Sequence, residues 1–297
     1  MTDNPYFKIE DVAQGVYAAL AVDMEYALGN AAIVDLGSET VVFDTFASPE
    51  AGAVLKQVAT ELTGKPTRWV VNSHHHGDHV LGNQCFADEA TFIATEQTCQ
   101  DIIALEKRIP EIQQRTIDQL EALRNNETDE IEDKAEQIAK LEESSEFLAA
   151  LDIIVPTVLF ENKLVLKGAN QSVHILNFGG GHTLSDSFIY LPEVSVVLLA
   201  DLLFQGEVHP WIGDGNPSEW ARILQQVLQI PADTFVPGHG DVATRADVER
   251  QLMYMQDFAA LIKQKRNDPD FEIHIPEPYR AWEGPEWFEQ SVTALTS

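Results

Sequence analysis

Basic side chains are scarce in this 297-residue chain: 19 Lys and Arg stand against 48 Asp and Glu, a net charge of −29. Binding nucleic acid requires clustered Lys and Arg to displace phosphate counterions. No such cluster appears, which argues against a nucleic-acid partner. The excess negative charge itself reads as a device for solubility or for a salty habitat, and it disfavours strongly anionic substrates. Cysteine is nearly absent, with Cys85 and Cys99 alone. They are read as free thiols in a reducing compartment, with a structural disulfide as the alternative. No apolar run is long enough to span a bilayer. Met1 to Pro5 begins neither a signal peptide nor a basic presequence, so a cytoplasmic protein without a membrane partner is expected. Apolar residues make up 44% of the chain, enough to bury a sizeable core, and residues 1–297 are expected to form one α/β domain.

Histidine and aspartate are concentrated in Ser73-His74-His75-His76-Gly77-Asp78-His79. The β-branched stretch Thr67–Asn72 before it reads as a short buried strand, and Gly77 allows a sharp turn after it. In extended backbone His74 and His76 point the same way and can grip one ion, while His75 points elsewhere. Asp78 and His79 follow the turn and are free to face a second ion. Burying so many costly polar groups in one loop makes sense if they bind metal, and imidazole with carboxylate suits zinc, iron or manganese.

Further ligands are expected at other strand ends. Asn177 to Thr183 follows the apolar strand Val173–Leu176 and carries three glycines and His182. The apolar run Val194–Ala200 reads as a central strand ending in Asp201, a carboxylate that is costly there unless it is paired or metal-bound. Thr234 to Gly240 ends in the glycine-flanked His239. Asp44, after the strand Thr40–Phe43, has two readings: an acceptor that orients a histidine ring, or a cap on the turn before Ser48-Pro49.

The ordered motifs HxHxDH, GGGHTxxD, ADLLF and PGHG resemble the metallo-β-lactamase superfamily over nearly the whole chain. The resemblance implies a four-layer αβ/βα sandwich with metals at the edge between two sheets. It further implies that His74, His76 and His182 hold a first metal, that Asp78, His79 and His239 hold a second, and that Asp201 bridges them. The metals would be two divalent ions, zinc first, with iron or manganese as alternatives. Asp201 stands where one kind of zinc lactamase carries a thiolate, and His76 where flavodiiron relatives carry glutamate. The set therefore resembles the glyoxalase II and lactonase branches.

The implied activity is hydrolysis of a small-molecule ester, thioester, lactone or related acyl bond by a hydroxide shared between the metals, with Asp78 also orienting the water. Weak lactamase activity is compatible with it. A metal-stabilised regulatory or binding domain is the non-catalytic alternative, and a mono-iron sulfur dioxygenase is disfavoured by the full ligand set. Glu207, His209 and Trp211 are expected to line the pocket.

Residues 98–150 interrupt this pattern. Ile102, Leu105, Ile109, Ile112, Ile117, Leu120 and Leu123, then Ile131, Ala135, Ile138 and Leu141, recur at helical steps in a charged background. They predict a helical hairpin insertion, serving as a cap, a homodimer contact or a solvated excursion. The aromatic-rich tail from Pro276 is expected to pack as a terminal helix on the core.

Overall fold

A computed structural model describes residues 4–125 and 133–296. The first half runs β1 (Phe7–Ala13), β2 (Val16–Ala21), β3 (Ala31–Asp35), β4 (Thr40–Phe43), α1 (Pro49–Thr63), β5 (Thr67–Val71), a single turn α2 (Gly77–Val80), β6 (Thr91–Thr95), α3 (Glu96–Asn125), α4 (Lys134–Ala150) and β7 (Val158–Phe160). The second runs β8 (Lys163–Lys167), β9 (Ser172–Asn177), β10 (Ser187–Leu191), β11 (Val196–Phe204), α5 (Pro217–Val227), β12 (Thr234–His239), β13 (Ala243–Thr244), α6 (Arg245–Asn267) and α7 (Pro285–Thr296).

Seven strands form one sheet in sequence order, β1 to β7, and six form the other in the order β13-β12-β11-β10-β9-β8. The first four strands are antiparallel, whereas β4, β5, β6 and β7 are mutually parallel. In the second sheet β11 and β12 are parallel and the remaining pairs antiparallel.

Three apolar clusters make the layers. Val34, Val41 and Ile93 of the first sheet pack against Ile175, Ile189 and Leu198 of the second. Ile33, Val42 and Val70 on the other face of the first sheet meet Leu55 and Val58 of α1. Leu199 and Phe235 on the outer face of the second sheet meet Trp220, Leu224, Tyr254 and Phe288 of α5, α6 and α7. Helix, sheet, sheet and helix therefore stack as the expected four-layer sandwich, because each sheet buries apolar side chains on both faces. The tail docks as expected, through Phe288 and Ser291 of α7.

Val194–Ala200 was expected to end at Asp201, but β11 continues to Phe204, so Asp201 lies inside a strand. The difference comes from an irregular register between Leu198 and Phe204, with Ala200 at φ 45°. A bulge of this kind re-aims one side chain without ending the strand.

The inserted residues do form two helices. α3 begins at Glu96 and runs through Pro110, and α4 buries none of its residues. Ile131 of the expected stripe lies outside the described residues. The hairpin leans on the body across a cavity of about 850 Å³, lined by Tyr26, Pro49, Ile112 and Phe147 among others. Tyr26 Oη donates to Glu143 Oε1 at 2.8 Å across it. Among the described residues no helix is long and apolar enough to cross a membrane, and Cys85 and Cys99 are free thiols.

Candidate metal centre

Parallel strands bring their carboxyl ends to one edge of the sandwich. Asp44 follows β4, His74 to His79 follow β5, and His239 ends β12. The sheets are tied together there: Asn30 donates through Nδ2 to Pro237 O (3.0 Å) and Gly240 O (2.9 Å), and Ser187 N donates to Ser73 O (2.8 Å).

Two groups of ligand atoms result. His74, His76, His182 and Asp201 form one, and Asp78, His79 and His239 the other. Asp201 touches both, with Oδ2 at 3.2 Å from His182 Nε2 and 3.3 Å from His239 Nε2, and Oδ1 at 3.1 Å from His79 Nε2. Asp78 Oδ2 lies 3.3 Å from His79 Nε2 and 3.5 Å from His239 Nε2. The seven residues are thus adjacent in space. His76 Nδ1 approaches His182 Nε2 to 3.0 Å.

The outer nitrogens of these rings reveal which inner nitrogens carry lone pairs. His182 Nδ1 lies 3.1 Å from Trp211 O, and His76 Nε2 lies 2.9 Å from Asp214 Oδ2. Carbonyl and carboxylate oxygens only accept, so both outer nitrogens carry hydrogen. In neutral rings the two inner nitrogens that face each other then lack protons, an unfavourable meeting that a cation, metal ion or proton, between them relieves. Buried atoms that face one another without a well-formed hydrogen bond point the same way: His74 Nε2, His79 Nε2 and Asp201 Oδ1 all lie in the cluster. The residues present therefore fit a metal.

The electrostatics agree. Burial lowers His74 well below its ordinary pKa and brings His182 down to about 4, leaving both neutral and able to ligate. Burial alone would raise Asp78, yet His79 and His239 hold it down at about 2. Burial opposes a proton on His79, but Asp78, Asp201 and Asp44 lift its pKa well above the usual value. A nest of three carboxylates needs positive charge, and protons or cations can supply it.

Asp44 is buried against the histidine loop, the position that an acceptor orienting a ring would take. Its Oδ2 lies 2.9 Å from His79 Nδ1 and accepts from Ser73 Oγ at 2.7 Å, while Oδ1 accepts from Ser73 N at 2.8 Å. Ser73 Oγ also lies 2.8 Å from His74 Nδ1. Asp186 accepts from the amides of Gly181 (2.7 Å) and His182 (2.9 Å), which fixes the glycine-rich turn. Ser73, Asn30, Asp186 and Asp214 were not given roles from sequence. Asp186 stands out afterwards as the acid of GGGHTxxD, whereas Asp214 sits in a loop with no motif to mark it.

The pocket residues fare unevenly. Trp211 contributes its carbonyl to His182 and sets its ring against Trp287 at 6.0 Å between centroids. Glu207 is exposed and its carbonyl accepts from Glu283 N. His209 does not line the site, contrary to expectation. Its ring is 1% exposed, bonds Tyr254 Oη through Nδ1 at 2.8 Å, and sits among Tyr254, Trp282 and Phe288 in the helical core. An imidazole with one satisfied nitrogen packs there as an aromatic. His75 turns aside, its Nδ1 lying 3.9 Å from Asp101 on α3.

Two glycines make room for the ligands. A Cβ on Gly238 would lie 1.9 Å from Asp201 Oδ1, and one on Gly29 would lie 3.0 Å from both Asp78 and His79.

Comparison with known proteins places this geometry. The sequence profile of the metallo-beta-lactamase superfamily matches residues 27–239, which holds all seven clustered residues. No curated protein matches the chain. Among solved structures, the metallo-beta-lactamase from Pontibacter korlensis is similar at TM-score 0.61 and 17% identity, covering 84% of this chain and 99% of that one. The metallo beta lactamase from Hirschia baltica is similar at TM-score 0.61 and 15% identity, covering 84% and 98%. At these identities the likeness concerns the fold. With its profile match, its two-sheet sandwich and its histidine and aspartate cluster, the chain belongs to the metallo-β-lactamase superfamily.

Proposed function

We propose that this protein is a hydrolase of small acyl substrates, namely carboxylic esters, thioesters or lactones, working with two divalent cations, zinc first among them. The observation that carries the reading is Asp201, whose two carboxylate oxygens lie within 3.3 Å of ring nitrogens from both histidine groups. His74, His76 and His182 would hold one cation, Asp78, His79 and His239 the other, with Asp201 shared. Cations held there would supply Lewis acidity and make water more acidic.

The chain's own groups supply the rest. Asp78 stands at the floor of the cluster, its side chain 13% exposed, and can take the proton that water loses as its oxygen attacks the acyl carbon. It can return that proton to the leaving oxygen or sulfur as the acyl bond breaks. Asp44 and Ser73 keep the rings of His79 and His74 from rotating. Phe204, stacked 4.8 Å from the His239 ring, shields that ring on its outer face. Absence of a thiolate in the cluster places ester and thioester substrates ahead of lactams, in keeping with the glyoxalase II and lactonase branches.

The hairpin fits a wall beside the site. α3 starts beside the turn that follows His182, where Thr98 Oγ1 donates to Ser185 O at 3.1 Å, and Asp101 of α3 lies 3.9 Å from His75 Nδ1. A dimer contact finds less support, because among the described residues no large apolar side chain of the hairpin is exposed. Small molecules, rather than nucleic acid or membrane, are the partners this acidic chain suits.

The test is elemental analysis of purified protein followed by turnover of chromogenic esters, thioesters, lactones and cephalosporins. Two equivalents of transition metal with ester or thioester turnover that disappears in Asp201→Ala is the expected result. Protein without bound metal, or an Asp201→Ala variant with full turnover, would overturn it.

A further inference from the structure

We propose that Asp214 is a positioning residue for His76, so that the surface loop between β11 and α5 governs how tightly the first histidine group holds its cation; this rests on the metal reading above. The Asp214 carboxylate lies 2.9 Å from His76 Nε2. Ionised carboxylate accepts only, so in the neutral ring the proton lies on Nε2 and the lone pair on Nδ1, the atom 3.0 Å from His182 Nε2. The carboxylate therefore selects the tautomer able to ligate, fixes the ring plane and makes the ring more basic. The same loop holds a second ligand, since Trp211 O accepts from His182 Nδ1.

The turn that presents Asp214 is firmly built. Ile212 is fully buried and its amide donates to Ser291 Oγ of α7 at 3.0 Å. Asn216 N donates to Gly181 O at 2.9 Å, beside His182. Glycines flank the acid because the path is tight: a Cβ on Gly213 would lie 2.0 Å from the Trp211 ring, and one on Gly215 would lie 2.0 Å from Gly181 O. Asp214 is not spent on capping α5, because Asn216 Oδ1 accepts from Ser218 N and Glu219 N. His75 competes for it weakly, being grouped with His76 and Asp214 within 4.8 Å but lying 3.9 Å from Asp101.

The two groups are consequently braced in different ways. His79 leans on Asp44, a carboxylate sealed in the core, whereas His76 leans on one whose side chain is 52% exposed. A substrate or mutation that moves the 211–216 turn would loosen the first cation and leave the second in place.

Metal-free wild type, Asp214→Ala and Asp214→Asn would be titrated with Zn(II) against a chromophoric chelator, and the imidazole N–H signals of the loaded proteins recorded by NMR. In Asp214→Ala one zinc equivalent should weaken about 10–100-fold while the other is unchanged. Asp214→Asn, which keeps an acceptor oxygen, should lose less. A slowly exchanging His76 Nε2–H signal should be present in wild type and absent in the alanine variant. Equal affinity of wild type and both variants would overturn the proposal, as would an equal loss of both equivalents, the mark of a general structural role. If the alanine variant does not fold, unchanged binding by Asp214→Asn is enough to overturn it. Wild type that binds no zinc sinks the metal reading itself, a result distinct from zinc binding that ignores residue 214.

Discussion

Asp44 accepts hydrogen bonds from Ser73 N and Ser73 Oγ and pairs with His79, all within a fully buried pocket. Asp44→Ala leaves those donors without an acceptor and should lower stability by about 3 kcal/mol or more in chemical denaturation. A loss under about 1 kcal/mol would mean that water replaces the carboxylate freely. Gly238 acts through the space it leaves. Gly238→Ala sets a methyl against Asp201 Oδ1, so metal affinity should fall roughly tenfold or more while far-ultraviolet circular dichroism is retained. Undiminished binding by that variant would show that the 234–240 segment yields easily.

Among the elements, β11 carries the clearest sign of function. Ala200 at φ 45° stands immediately before Asp201, and Leu28 and Asp44, both at φ 60°, lie on loops that also reach the cluster. Left-handed backbone at non-glycine residues is strain that surrounding structure must overcome, and it gathers where a side chain has to be aimed. Ala200→Gly should relieve that strain, and after the entropic cost of glycine the net gain should be about 1 kcal/mol in thermal or chemical unfolding. Loss of stability would instead show that the alanine methyl packs usefully. The hairpin is the other element with a separable role. Removing Glu111 to Glu143 should leave the core folded, since α4 buries none of its residues and the part of α3 removed buries only Thr116 and Leu120, neither of them in a core cluster. Turnover should change while the number of chains per particle by light scattering stays that of the parent; a halving of that number would restore the dimer contact.

At the scale of the molecule, a chain of net charge −29 places Asp44, Asp78 and Asp201 around one buried imidazole. Cations bound there stabilise the native state by mass action and offset that concentration of charge. Stripping the metal with chelator should lower the melting temperature by roughly 10 °C, read by calorimetry and recovered on adding zinc. A transition that chelation does not move would mean that protons on His79 and His239 stabilise the cluster as well as metal does.

How much of this was legible in the sequence depends on whether the signal is local. His74, His76, Asp78, His79, His182 and His239 announce themselves because each follows a β-rich run and sits by a glycine or another ligand, and Asp201 because it ends an apolar run; the two sheets and their helical layers were implied by the family resemblance of the ordered motifs. Buried ligand-type side chains are too costly to be scattered without purpose, so their density is itself information. His209, by contrast, lies in a stretch that reads as a loop near the ligands, and only the packing of α6 and α7 turns it into the aromatic core. The tautomers of the rings, the bulge that re-aims Asp201, and the pairing of Asp214 with His76 were equally beyond sequence. Each depends on contacts between residues as far apart as 138 positions, and such contacts exist only once the two sheets have closed on one another.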